Sequence, residues 1–186
     1  MDQDPQYVFD QALAYTLRHE GGYVFDPADP GGETRFGISK RSYPQFDIKE
    51  LTLAEAEYIY RRDYWLAPRF NRIPNEFVAA KVFDLGVNVG TRRAAKLLQR
   101  ALNQVCGGEI PSQRQSAWRQ KMARLFRGKP LIVDGLIGPI TIEVVALCPY
   151  PQSLLMALKG EAYQHYIKQK KPRFIAGWLT RLAGDA

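Results

Sequence analysis

The chain has 186 residues, 46 % of them hydrophobic, and a formal net charge of +7. That length suits one domain or two small lobes sharing a core, and the apolar content excludes an intrinsically disordered chain. No run approaches ~18 apolar residues, so no segment is expected to span a membrane.

The N-terminal stretch MDQDPQYVFDQALAY has neither a basic leader nor a long apolar run, so no signal peptide is expected. Val8, Phe9, Ala12, Leu13, Thr16 and Leu17 recur at helical spacing, with Pro5 suited to the first turn and Gly21-Gly22 to the end. Following the stripe by threes and fours leads to Glu20, which places this carboxylate on the inward face of the helix. Residues 24–47 are rich in Gly and Pro and predict loop with a short hairpin. Thr52-Leu53-Ala54-Glu55 fits a capping box, so a helix is expected from Leu53 towards Trp65. Asn75 caps a helix carrying Phe77, Val78, Val82 and Leu85, and Thr91 caps another carrying Ala94, Leu98 and Leu102. Gln113 to Arg127 reads as a basic helix with Trp118, Met122, Leu125 and Phe126 on one side. Asp134-Gly135 reads as a turn, and Thr141 as the cap of a short helix ending at Leu147. A long helix over 153–169 and a short one carrying Phe174, Trp178 and Leu182 complete a mainly α chain.

Charge is uneven. Arg114, Arg119, Lys121, Arg124, Arg127 and Lys129 fall between Pro111 and Pro130 without one acid, and outside this segment the chain is nearly balanced. Such a patch suits either an anionic partner surface or a solvated helix face. No nucleic-acid motif accompanies it, so nucleic acid is not an expected partner. Cys106 and Cys148 are distant in sequence and read as free thiols; with only His19 and His165 beside them, no metal site is expected.

The chemistry concentrates in His19-Glu20-Gly21-Gly22-Tyr23. A carboxyl facing apolar side chains loses hydration, which raises its pKa and suits it to act as a general acid at neutral pH. The glycines let a bulky substrate approach closely. Asp26, Asp29, Glu33 and Thr34 follow within fifteen residues. Glycoside hydrolysis needs a carboxylic acid and a second polar group managing water or the nascent cation. Taken singly, each loop acid also fits a turn-forming role. Tyr23, Phe25, Tyr64 and Trp65 suit either sugar stacking or core packing. Asp84 and Asn88, four apart on one helix face, suit either backing a cleft or holding loop backbone.

HEGGY, DPADPGGETRFGIS, LTLAEAEYIYRRDYW and FDLGVNVG, in that order, resemble the glycoside hydrolase family 108 muramidases. The resemblance implies a lysozyme-like helical catalytic lobe over 1–90 with Glu20 as catalytic acid. It implies cleavage of the β-1,4 bond between N-acetylmuramic acid and N-acetylglucosamine without a cofactor. Asp29 and Thr34 follow the order of the Glu-Asp-Thr triad of another lysozyme family, the Thr falling one residue early. Tyr23, Asp26, Glu33, Trp65 and Asn88 are the expected substrate contacts. Leu98-Gln99-x-x-Leu102-Asn103 with Val133-Asp134-Gly135-Leu136-Ile137-Gly138-Pro139 resembles a helical peptidoglycan-binding module, which sets a second lobe over 91–186. The segment at about 105–130 is longer and more basic than the family's usual link, and an anionic wall or envelope polymer is its expected partner.

A cytoplasmically made monomer reaching the wall after holin action, lysis or dedicated export fits this reading. The alternative is a non-catalytic peptidoglycan-binding factor for secretion or envelope assembly.

Overall fold

A computed structural model describes residues 5–19, 22–25, 32–106, 121, 124–125 and 129–184. Helix α1 spans Pro5–His19 and buries Phe9, Ala12, Leu13 and Thr16, the stripe expected from the sequence. A small antiparallel sheet follows, with β1 at Val24–Phe25, β2 at Glu33–Arg35 and β3 at Ile38–Ser39, in the order β1-β2-β3. The β2–β3 turn places Phe36 at φ 51° and Gly37 at φ 75°. Two successive positive φ values are the signature of a type I′ hairpin, whose twist matches that of the strands it joins. Phe36 tolerates this position because its carbonyl accepts a 2.8 Å hydrogen bond from the buried Tyr60 hydroxyl, which pins the hairpin tip to the helical layer.

Helix α2, Leu53–Ile59, begins at the expected capping box. The Thr52 hydroxyl accepts from the Glu55 N–H at 3.3 Å, and the Glu55 carboxylate accepts from the Thr52 N–H at 2.8 Å. The helix does not run on as α to Trp65. It widens into a π-helical stretch over Tyr60–Leu66 that buries Tyr60 and Trp65, and a 3-10 turn at Phe70–Arg72 follows. Helix α3, Glu76–Val89, is capped by the Asn75 side chain accepting from the Val78 N–H at 3.0 Å. It is buried continuously from Val78 to Gly86 and forms the centre of the molecule. Phe9, Trp65 and Phe83 meet with ring centroids 5.7–5.8 Å apart, joining α1, the π-helical stretch and α3. At Gly86 a Cβ would come within 2.9 Å of the Phe70 ring, so this position requires glycine for close approach.

Helix α4, Thr91–Cys106, starts directly after Gly90 and packs on α3. Helices α5 (Pro139–Leu147), α6 (Pro151–Lys168) and α7 (Pro172–Ala183) follow, with α6 packed across α4 and α3. Gly138, not Thr141, caps α5, because Pro139 pre-sets the first helical φ; Thr141 lies buried inside the helix. Within the basic segment, Lys121, Arg124 and Leu125 have helical backbone, while Trp118, Met122 and Phe126 lie outside the described residues.

A buried charged cluster ties the C-terminal helix to the centre. The Arg181 Nε donates to Asp84 Oδ1 at 2.8 Å, Lys81 Nζ lies 3.7 Å from Asp84 Oδ2, and Lys81 also donates to the Gly184 carbonyl at 2.7 Å. The Tyr15 hydroxyl donates to the Arg181 carbonyl at 2.7 Å, bringing α1 into the same cluster. Asp84 therefore cross-links α3 and α7. None of the described helices is long and apolar enough to cross a membrane.

Candidate functional site

Glu20, Asp26 and Asp29 lie outside the described residues. Pairing in the sheet sets Val24 opposite Thr34 and Phe25 opposite Glu33. This pairing holds Thr34 within one strand spacing, roughly 5 Å, of Val24, which follows Glu20 by four residues in sequence. Side chains alternate between faces along a strand, so Thr34 shares a face with Val24 and Ser39, and Glu33 shares the other with Phe25 and Arg35. The two neighbouring candidates thus serve opposite sides of the sheet.

Tyr23, Val24 and Phe25 form an exposed apolar strip directly after the two glycines. Asn88 lies half-buried near the end of α3. The side chains of Tyr23, Glu33, Thr34 and Asn88 hold no hydrogen bond with any described residue. Trp65 differs from its expected role. It is 3 % exposed, its ring edge-on to Phe83 and tilted against Phe9, so it presents no free face to a sugar and acts as core. The widened π-helical backbone turns it inward, a feature that helical periodicity does not signal.

Other carboxylates are committed elsewhere. Two hydrogen bonds from Arg62, at 2.6 and 2.7 Å, hold the Asp63 carboxyl below the usual carboxylate range, with a further 2.9 Å bond from the Tyr43 hydroxyl. Glu55 is held down by the Thr52 N–H and hydroxyl, and Asp134 by the Gln99 amide and the Leu136 N–H. These three are anionic at neutral pH and cannot be the proton donor that glycoside cleavage requires.

Two open grooves lie on either side of the Asp134-Gly135 turn. One, of about 640 Å³, runs from Asp63 and Arg69 across Thr91 and Arg92 to Gly135 and Gly138. Arg69 stands there at φ 64°, a backbone conformation that a non-glycine residue rarely adopts. The sequence reading missed these arginines, and the only local signal was a charged DYW block beside a proline. The other groove, of about 1010 Å³, has an apolar floor including Leu131, Ile132, Leu136 and Ile140, with Arg124 and Lys129 at its rim.

The loop between these grooves is built by two amides of α4. Gln99 Nε2 donates to Asp134 Oδ1 at 2.7 Å and to the Leu136 carbonyl at 3.0 Å, while its Oε1 accepts from the Gly135 N–H at 2.8 Å. Asn103 pairs with both backbone groups of Leu131, at 2.9 and 2.7 Å. Gly135 sits at φ 80°, and a Cβ there would lie 2.7 Å from the Arg92 carbonyl oxygen. The Gln–Asn pair and the Asp-Gly turn are thus two halves of one structural unit.

Residues 13–90 match the model of glycosyl hydrolase 108, and residues 93–183 match that of a predicted peptidoglycan domain. Among solved structures, that of Brucella abortus SagA superposes with a TM-score of 0.69 at 24 % identity, covering 96 % of this chain and 91 % of that one. At this identity the likeness establishes the fold, a mainly α, lysozyme-like architecture. No curated protein matches the chain. The two domain matches give the protein a role in hydrolysing or binding peptidoglycan, with action at the cell wall.

Proposed function

We propose, from the match of residues 13–90 to the glycosyl hydrolase 108 model, that the chain is a member of that family and a peptidoglycan N-acetylmuramidase. Its catalytic lobe would span 1–90 and its wall-binding lobe 91–186, and it would act on the wall after holin action, lysis or dedicated export. Glu20 donates a proton to the glycosidic oxygen between N-acetylmuramic acid and N-acetylglucosamine. Asp29 or Thr34 positions the water that attacks the anomeric carbon, with Asp26 and Glu33 available should neither do so. Tyr23 and Asn88 contact the glycan.

The observation that supports this reading is the sheet register, which sets Thr34 opposite Val24, four residues beyond Glu20 in sequence, with its hydroxyl uncommitted to any described residue. A proton donor at a helix end and a water-positioning group on an adjoining strand are the parts a single-displacement cleavage needs. The test is mass spectrometry of digested peptidoglycan with the parent and Glu20→Gln. The parent should release chains with reducing muramic acid ends, and the variant should lose at least ~10²-fold in rate, because an amide cannot supply the proton. Reducing glucosamine ends would reassign the bond. Intact peptidoglycan with the parent would leave a wall-binding role alone.

A further inference from the structure

Cys106 and Cys148 are far apart in sequence, yet the fold packs α4 against α5 and sets the two thiols side by side in one core cluster. Cys106 is the last residue of α4 and is 6 % exposed. Cys148 follows α5 directly and is half-buried, with its own N–H held by the Val145 carbonyl at 3.1 Å. Each sulfur is therefore mounted on the end of a helix packed into the core, and both are free thiols. The chain between them contains every basic residue of the Pro111–Pro130 segment.

We infer that Cys106 and Cys148 form a disulfide site, closed by thiol–disulfide exchange with an external disulfide donor, that ties α4 to α5 and staples the base of the basic segment. This goes beyond the hydrolase reading and does not depend on it. Chemistry sets the order of events. Cys148 is the more open of the two, and the Cys106 thiol and the Tyr150 N–H both stabilise its thiolate, which lowers its pKa. The Cys106 thiol is pushed up by donating to Cys148 and by burial. Cys148 thiolate attacks one sulfur of the donor, whose S–S bond breaks with departure of a donor thiolate. Cys106 then gives its proton to solvent and attacks the Cys148 sulfur of the mixed disulfide, expelling the second donor thiolate. Two protein thiols are oxidised by two electrons in all, and the donor disulfide is reduced to two thiols.

Closing a ring of this length restricts the unfolded chain and should raise the melting temperature by about 5–15 °C. The experiment equilibrates the purified full chain with a mixture of oxidised and reduced glutathione, then counts thiols in denaturant and maps peptides by mass. Expected are loss of both thiols, a linked peptide pair lighter by two hydrogens, and a higher melting temperature that reverts with reductant. Cys106→Ala and Cys148→Ala should each remove the redox dependence of melting. Two thiols that still titrate after equilibration overturn the inference, as does a glutathione adduct on Cys148 beside a free Cys106. Thiol counting on the parent needs no variant to fold, and no lysis is measured, so failure here stays separate from failure of the catalytic reading.

Discussion

Replacing Gln99 by Met tests whether the α4 amide builds the Asp-Gly loop. Methionine keeps the length and packing of the side chain but removes three hydrogen bonds of 2.7, 3.0 and 2.8 Å. They are not equivalent. Asp134 and Leu136 are exposed, so water recovers most of what they lose, at about 0.5–1 kcal/mol each. The Gly135 N–H is buried and would be orphaned, at about 1–3 kcal/mol. The total is about 2–5 kcal/mol, or a fall in melting temperature of roughly 4–20 °C for a chain of this size. The pH dependence has a definite sign. Asp134 is held below its ordinary pKa in the folded state, so its contribution is present above the unfolded value and lost as pH falls through the folded one. It is small, because the group is exposed. Without Gln99 that depression weakens, so parent and variant should converge slightly in stability below about pH 4. Thermal melts at pH 7 and pH 3 with amide exchange at Gly135 read all of this. A variant melting within ~1 °C of the parent, with Gly135 equally protected, would refute the argument.

Arg181→Met should lower stability by about 3–5 kcal/mol in urea titration, because it leaves Asp84 buried with only the more distant Lys81 beside it. Asp29→Asn or Thr34→Ala should lower turnover on peptidoglycan more than ~10-fold while sedimentation with walls stays at the parent level; full activity in both would place the second group elsewhere. Changing Arg114, Arg119, Lys121 and Arg124 to Gln should weaken binding to whole walls at low salt and flatten its salt dependence, since exposed charges are screened within ~8 Å at physiological ionic strength. Cleavage of short soluble muropeptide chains should be unaffected by that change.

Local chemistry was legible in the sequence wherever a few neighbouring residues settle the outcome. The Thr52–Glu55 box and the Asn75 cap need only their own turn of helix, and both form as expected. The hairpin was visible only in outline, because Phe36 carries no sign that it takes a positive φ; its conformation is fixed by Tyr60, far along the chain. Trp65 was misplaced for a related reason. An α-helical wheel assumes a constant turn, and the change to π geometry at Tyr60 rotates every later side chain. Asp84 looked equally suited to a cleft or a structural pair, and its partner Arg181 lies in the last helix, beyond the reach of any periodicity. Cys106 and Cys148 were likewise separated by sequence and joined by the fold.

What distinguishes the candidate site is the division of polar groups that the fold imposes. Asp63, Asp84, Gln99, Asn103 and Asp134 each spend their hydrogen-bonding capacity on a partner that shapes the protein. Tyr23, Glu33, Thr34 and Asn88 spend none on described residues. A protein has reason to keep such groups where a ligand supplies the missing bonds, and a glycan, with hydroxyls and acetamides along its whole length, supplies them in series. The same division separates the two carboxylate roles that glycosidic cleavage calls for. The acids fixed as anions by Arg62, by Thr52 and by Gln99 are excluded as donors by their own partners. In the proposed mechanism Glu20 is the donor, because its sequence setting favours a neutral carboxyl, and Thr34, which the strand register sets opposite Val24, is the hydroxyl proposed to order the water.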